Sequence, residues 1–113
     1  MVNIIHLLAI ILAGVSVGVA DALIKKVALT GSFWSAFKNP LMVFILLLYV
    51  AQIAFFVYVF RYQWELGIVG NLQMVFYSLT VILSGLLIFG EKISLVQGAG
   101  IGLALIGVIL MNL

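Results

Sequence analysis

The stretch Leu66–Phe89, LGIVGNLQMVFYSLTVILSGLLIF, contains no charged residue and no proline. A helix of that length rises about 35 Å, enough to cross the ~30 Å of bilayer hydrocarbon. Its residues also divide by face. At 100° per residue, Gly67, Gly70, Asn71, Gln73, Met74, Tyr77, Ser78, Thr80, Ser84 and Gly85 share about half the helix. Leu72, Val75, Phe76, Leu79, Ile82, Leu83 and Leu86 take the other half. Lipid gives polar groups no partner, so an intramembrane polar face turns to the bundle interior or a wet cavity. The same residues can also serve simply as packing glue between helices.

Three more apolar runs surround this one, Ile4–Ile24, Leu41–Phe60 and Ile93–Leu113. Together the four leave no length for a water-soluble domain, an extramembrane enzyme or a nucleotide site. Hydrophobic residues make up 67% of the chain and charged residues 7%, a composition no soluble core sustains. Spanning backbone must satisfy its own hydrogen bonds, and continuous apolar runs choose helices over alternating barrel strands. The expectation is a single all-α, multi-pass transmembrane domain over residues 1–113, a four-helix bundle with the lipid bilayer as its solvent. The first run has no basic leader and no A-x-A cleavage site, so it reads as a retained helix. A net charge of +2, scattered along the chain, argues against a nucleic-acid partner. Zero cysteines exclude disulfides and thiol chemistry. No nucleophile–base set, metal cluster or phosphate loop is legible, so neither enzyme activity, nor a metal, nor a cofactor is expected.

The linkers are Lys25–Pro40, Arg61–Glu65 and Gly90–Lys92, and no internal repeat stands out. Four spans put both termini on one side with Arg61. Lys25, Lys26, Lys38 and Lys92 fall on the other. The positive-inside rule then makes the first and third connections cytoplasmic. Counting Lys25 and Lys26 into the first helix weakens that bias, and a weak bias also fits insertion in both orientations.

On the first run, Gly14 and Gly18 form a G-x-x-x-G for close helix approach, with Asp21 and Lys25 on the same face. Asp21 has two readings. It is either half of an i,i+4 surface pair with Lys25, or a ligand for substrate or coupling ion. His6, near the other end, reads as interfacial. On the second run Gln52 is the one strongly polar residue, flanked by Tyr49 and Phe56. It either bonds across the bundle or helps line an aromatic-walled cavity. The last run has two small faces, Gly98 with Gly102, and Gly100 with Ala104 and Gly107. One face suffices to join its own bundle, so the second suggests another partner, most simply a second subunit, although glycine is also generally common in membrane helices.

The segment Phe89-Gly90-Glu91-Lys92-Ile93-Ser94-Leu95-Val96-Gln97, followed by Gly100, Leu103, Gly107-Val108 and Asn112-Leu113, resembles the final hairpin of the drug/metabolite transporter superfamily. The Gly-Glu turn with Ser and Gln looks most like the EamA-type domain. Gly100…Leu103…Gly107-Val108 looks like the small multidrug resistance family. Asp21-Ala22-Leu23-Ile24-Lys25-Lys26 resembles the end of the first EamA-type helix. The resemblance implies an antiparallel pair of four-helix subunits, formed with itself or an inverted paralogue, in a prokaryotic inner (plasma) membrane. Spans one to three would surround the pathway and span four would make the dimer contact. The chain also departs from the pattern. Gly14 stands where small multidrug exporters carry a membrane glutamate, Gln73 replaces a tryptophan, and Ser78 stands where EamA-type domains often have proline. One four-span branch lacks that glutamate, and its members flip undecaprenyl-phosphate-linked aminosugars.

The implied function is alternating-access transport of a small polar metabolite or a lipid-linked sugar headgroup. The expected binding set is Asn71, Gln73, Tyr77, Ser78, Thr80, Gln52, Tyr49 and Asp21. Packing and dimer contacts fall to Gly14, Gly18, Gly98, Gly100, Gly102 and Gly107. Two alternatives stand beside it. One is a proton-coupled small multidrug exporter working through Asp21, the other a non-transporting membrane assembly subunit.

Overall fold

The computed structural model describes residues 4–111. Five helices follow one another: α1 (Ile4–Ala28), α2 (Phe33–Lys38), α3 (Leu41–Phe60), α4 (Leu66–Ile88) and α5 (Leu95–Met111). No strand occurs among the described residues. α1, α3 and α4 are each long and apolar enough to cross a membrane. α5 has 17 residues and is shorter. Of the residues quoted for the terminal hairpin, Asn112 and Leu113 lie outside the described part.

The boundaries depart from the expected ones in physically sensible ways. α1 runs on through Lys25 and Lys26 to Ala28, one turn past the apolar run. Lysines in a last turn meet the negative end of the helix dipole, and their long stems let the ammonium reach water. The long linker holds α2, capped by Ser32, whose hydroxyl accepts from the Ser35 N–H at 3.2 Å. Pro40 precedes α3, and the Asn39 side chain accepts from the Leu41 N–H at 2.9 Å. α5 begins at Leu95 because Ser94 and Gln97 cap it reciprocally. The Ser94 hydroxyl accepts from the Gln97 N–H at 3.1 Å, and the Gln97 carbonyl accepts from the Ser94 N–H at 2.9 Å.

α1 is the central helix, packing along both α3 and α4. Two apolar clusters hold this trio. Ala9, Ile10, Val59, Val69 and Leu72 fill one end. Ala20, Val27 and Ile45 fill the other, with Ala36 of α2 against them. Gly14 and Gly18 set the α1–α4 separation. A Cβ on Gly14 would lie 2.7 Å from the Gln73 carbonyl oxygen, and one on Gly18 2.6 Å from the Thr80 Cβ. Only glycine allows that approach.

α5 is the outlier. It leans on α4 and has no buried residue of its own. Between α4 and α5 an apolar groove of about 450 Å³ stays open, with Val75, Ile82, Ile101 and Leu105 in its walls. A Cβ added at Gly98, Gly100, Gly102 or Gly107 would meet nothing within 4 Å. Both small faces of α5 are therefore unfilled within one chain.

Candidate functional site between α1, α3 and α4

Asp21 lies seven residues before the end of α1, and Tyr49 lies eight residues after the start of α3. Two helices running back from one connection bring such positions to the same depth, about 10 Å in from that end. α4 brings Tyr77 to the same place. Both phenol hydroxyls donate to the Asp21 carboxylate, Tyr49 to Oδ1 and Tyr77 to Oδ2, the latter at 2.5 Å. One carboxylate thus ties three helices together. Asp21, Tyr49 and Tyr77 are all half-buried. An ionised carboxylate in such a place needs donors, and hydrogen bonds to charged groups are the strong ones.

One turn further along α1, Lys25 pairs with Glu91 of the α4–α5 turn, and its ammonium sits 4.7 Å from the centre of the Phe89 ring. The turn is shaped for this. Gly90 takes φ +65°, and the Glu91 N–H donates to the Gly85 carbonyl at 2.9 Å. The Glu91 side chain lies back over Gly85, where any Cβ would collide with its carboxylate. A crevice of about 230 Å³ joins the two levels, lined by Asp21, Lys25, Ser84, Phe89 and Glu91 among others. Asp21 and Lys25 are thus not a pair of their own, since each side chain bonds groups outside α1.

The remaining expected residues divide. Thr80 lies against Gly18, its hydroxyl donating to the Phe76 carbonyl of its own helix at 2.8 Å. Gln73 faces Gly14 with its backbone and is half-buried. Gln52 is half-buried on α3, three residues beyond Tyr49. Ser78 turns instead to the apolar groove beside α5. Asn71 is exposed, and its amide donates to the Gly67 carbonyl at 2.6 Å. So the polar half of α4 is shared between three surroundings rather than gathered on one cavity.

At the opposite end a second polar lock holds α1. His6 is buried at 7% exposure. The Trp64 indole N–H donates to His6 Nδ1 at 3.0 Å. An indole nitrogen only donates, so Nδ1 is the acceptor of this pair. Tyr58 and Tyr62 pack their rings on the imidazole at 5.6 and 4.2 Å. Sequence reasoning placed His6 at an interface. The cue it missed was the run of aromatics Tyr58, Tyr62 and Trp64 at the matching end of the α3–α4 hairpin.

Among the described residues no group of three or more His, Cys, Asp or Glu is arranged to hold a metal ion. Comparison of the chain with family profiles, with curated proteins and with solved structures finds no match in any of the three.

Proposed function

We propose that this chain is a small membrane transporter that moves a polar metabolite or a lipid-linked sugar headgroup by alternating access. The observation that carries the reading is the Asp21 carboxylate, held by hydroxyls from two other helices beside a crevice that Lys25 and Glu91 also line. Ionisable groups within spans are costly and mark transport pathways by default. Tyr49 and Tyr77 offer hydroxyls that a sugar or amine can replace, so a headgroup enters by exchanging hydrogen bonds rather than by breaking them unpaid.

The two locks fit the same reading. Lys25–Glu91 ties α1 to the α4–α5 turn at one end, and His6–Trp64 ties it to the α3–α4 turn at the other. Alternating access follows if each is released in turn while Gly14 and Gly18 keep α1 on α4. In this proposal α5 is the fourth crossing, and its open small-residue faces receive α5 of an inverted second subunit. A 17-residue helix crosses by thinning the bilayer slightly around it.

The test is headgroup translocation in vesicles containing the purified chain, with a polyprenyl-phosphate aminosugar as probe and an impermeant amine reagent as readout. Saturable exposure of the amine, lost when Gln73 and Tyr77 are both changed to alanine, is the expected result. Transport unchanged by that double substitution sinks the site.

Asp21 also favours a second reading, export of small cations in exchange for protons. There Asp21→Asn abolishes export and cation affinity depends on pH. Wild-type export by that variant removes it.

A further inference from the structure

Helix α2 is a short element with a divided surface. Ala36 points inward onto the cluster of Ala20, Val27 and Ile45. Phe33, Trp34 and Phe37 point away, with 69%, 71% and 58% of their surfaces exposed. Their rings pack edge-on against one another, Phe33 on Trp34 at 5.1 Å and Phe33 on Phe37 at 5.2 Å. Three large rings standing clear of the fold are unfavourable in water, because apolar surface left exposed to water costs free energy in proportion to its area.

Position says what covers them. α2 lies between the end of α1 and the start of α3, where two long apolar helices reach the edge of their apolar length. That level in a bilayer is the headgroup region, where tryptophan's amphipathic ring is most at home. Charge says which lipid. Four lysines share this end, Lys25, Lys26, Lys38 and Lys92, against one acid, Glu91. Among the described residues Lys25 alone of the four makes an ion pair, which leaves Lys26, Lys38 and Lys92 exposed without one. The other end balances Arg61 with Glu65.

We propose that α2 is an interfacial anchor for an anionic leaflet. Phe33, Trp34 and Phe37 sink to the headgroup level, while Lys26, Lys38 and Lys92 attract the phosphates of acidic lipids. The occupant is the lipid surface of the bilayer the chain spans. This is independent of what the Asp21 site carries.

Trp34 is a built-in probe. The full chain and its Trp34→Phe variant are placed in vesicles of phosphatidylcholine containing phosphatidylglycerol as a minority component. The difference between their emissions isolates Trp34 and leaves Trp64 and its bond to His6 intact. Trp34 should be quenched by lipid brominated just below the headgroup, and little by bromine at the chain ends or by aqueous acrylamide. Brominated phosphatidylglycerol should quench it more than an equal share of brominated phosphatidylcholine. The enrichment expected is about fivefold per interacting lysine, falling with added salt. Lys26→Gln, Lys38→Gln and Lys92→Gln together should abolish the preference and keep the depth.

Strong acrylamide quenching places α2 in water and overturns the proposal. Quenching from the chain ends overturns it by depth. Shielding from both acrylamide and bromine means a second copy covers the rings, which overturns it too. Equal quenching by the two lipids overturns the choice of an anionic leaflet.

Discussion

Asp21 is the residue whose side chain joins α1 to both α3 and α4. Its two oxygens are both used, by hydroxyls that come from different helices. Tyr49→Phe or Tyr77→Phe removes one donor and leaves the ring packing in place. Each should lower stability by about 1–2 kcal/mol, and the two combined by at least the sum, because the double variant leaves the half-buried carboxylate with neither donor. Thermal unfolding in a mild detergent reads this directly. Asp21→Leu should cost more than either, since it strands two half-buried hydroxyls. Asp21→Asn should cost less than Asp21→Leu, because the carboxamide still accepts on oxygen. At the other lock, Trp64→Phe takes the donor from His6 Nδ1 and should cost about 1 kcal/mol in the same measurement.

At the scale of the element, the informative glycines are those of α1. Gly14→Ala and Gly18→Ala drive a methyl into the α4 backbone or the Thr80 side chain, and overpacking of this kind costs about 1–3 kcal/mol. Gly67→Ala adds the same methyl where nothing lies within 4 Å, and should be neutral or stabilising by up to about 1 kcal/mol. Chemical unfolding of the three variants side by side separates the two outcomes. An equal effect at all three would mean that helix propensity, not close approach, governs the site. The helices themselves were legible because hydropathy sets them: each apolar run became a helix within a few residues. α2 was not, because a six-residue helix flanked by Gly31-Ser32 and Asn39-Pro40 leaves too little periodicity to read. The polar residues were legible one by one but not as partners. Asp21, Tyr49 and Tyr77 each stood out within its own span. Their union depends on how deep each lies from a shared end, which facial periodicity does not report. The same limit hid Glu91 and Trp64, whose partners are 66 and 58 residues away. Asn71 and Ser78 show the converse. Sharing half a helix with Tyr77 did not bring them to its cavity, because α4 faces α1 on one side, α5 on another and open surface on a third.

On the scale of the whole molecule, the packing is lopsided, and that bears on the proposed pairing. α1 is held by α3 and α4 along its length, while α5 packs mainly on α4, and a Cβ added at Gly98, Gly100, Gly102 or Gly107 would meet nothing within 4 Å. Lipid drives no association by hydrophobicity, so a helix so loosely held is stabilised by close packing against something else. If that partner is α5 of an inverted copy, bulk on its small faces must disrupt the pair and spare the trio. Gly98→Leu with Gly102→Leu is the test, followed by the mass of the detergent-solubilised particle and by cross-linking in the membrane. The expected outcome is a shift from dimer to single chain, with the unfolding temperature of the α1–α3–α4 unit unchanged. Transport should fall with the dimer. The paired substitution Gly100→Leu with Gly107→Leu tells which face is used: Gly100 lines the groove beside α4, so bulk there should loosen α5 from its own chain first. A particle that stays dimeric in both variants places the second subunit elsewhere. A wild-type chain that is already single under the mildest solubilisation removes the homodimer and leaves an inverted paralogue as the partner to find.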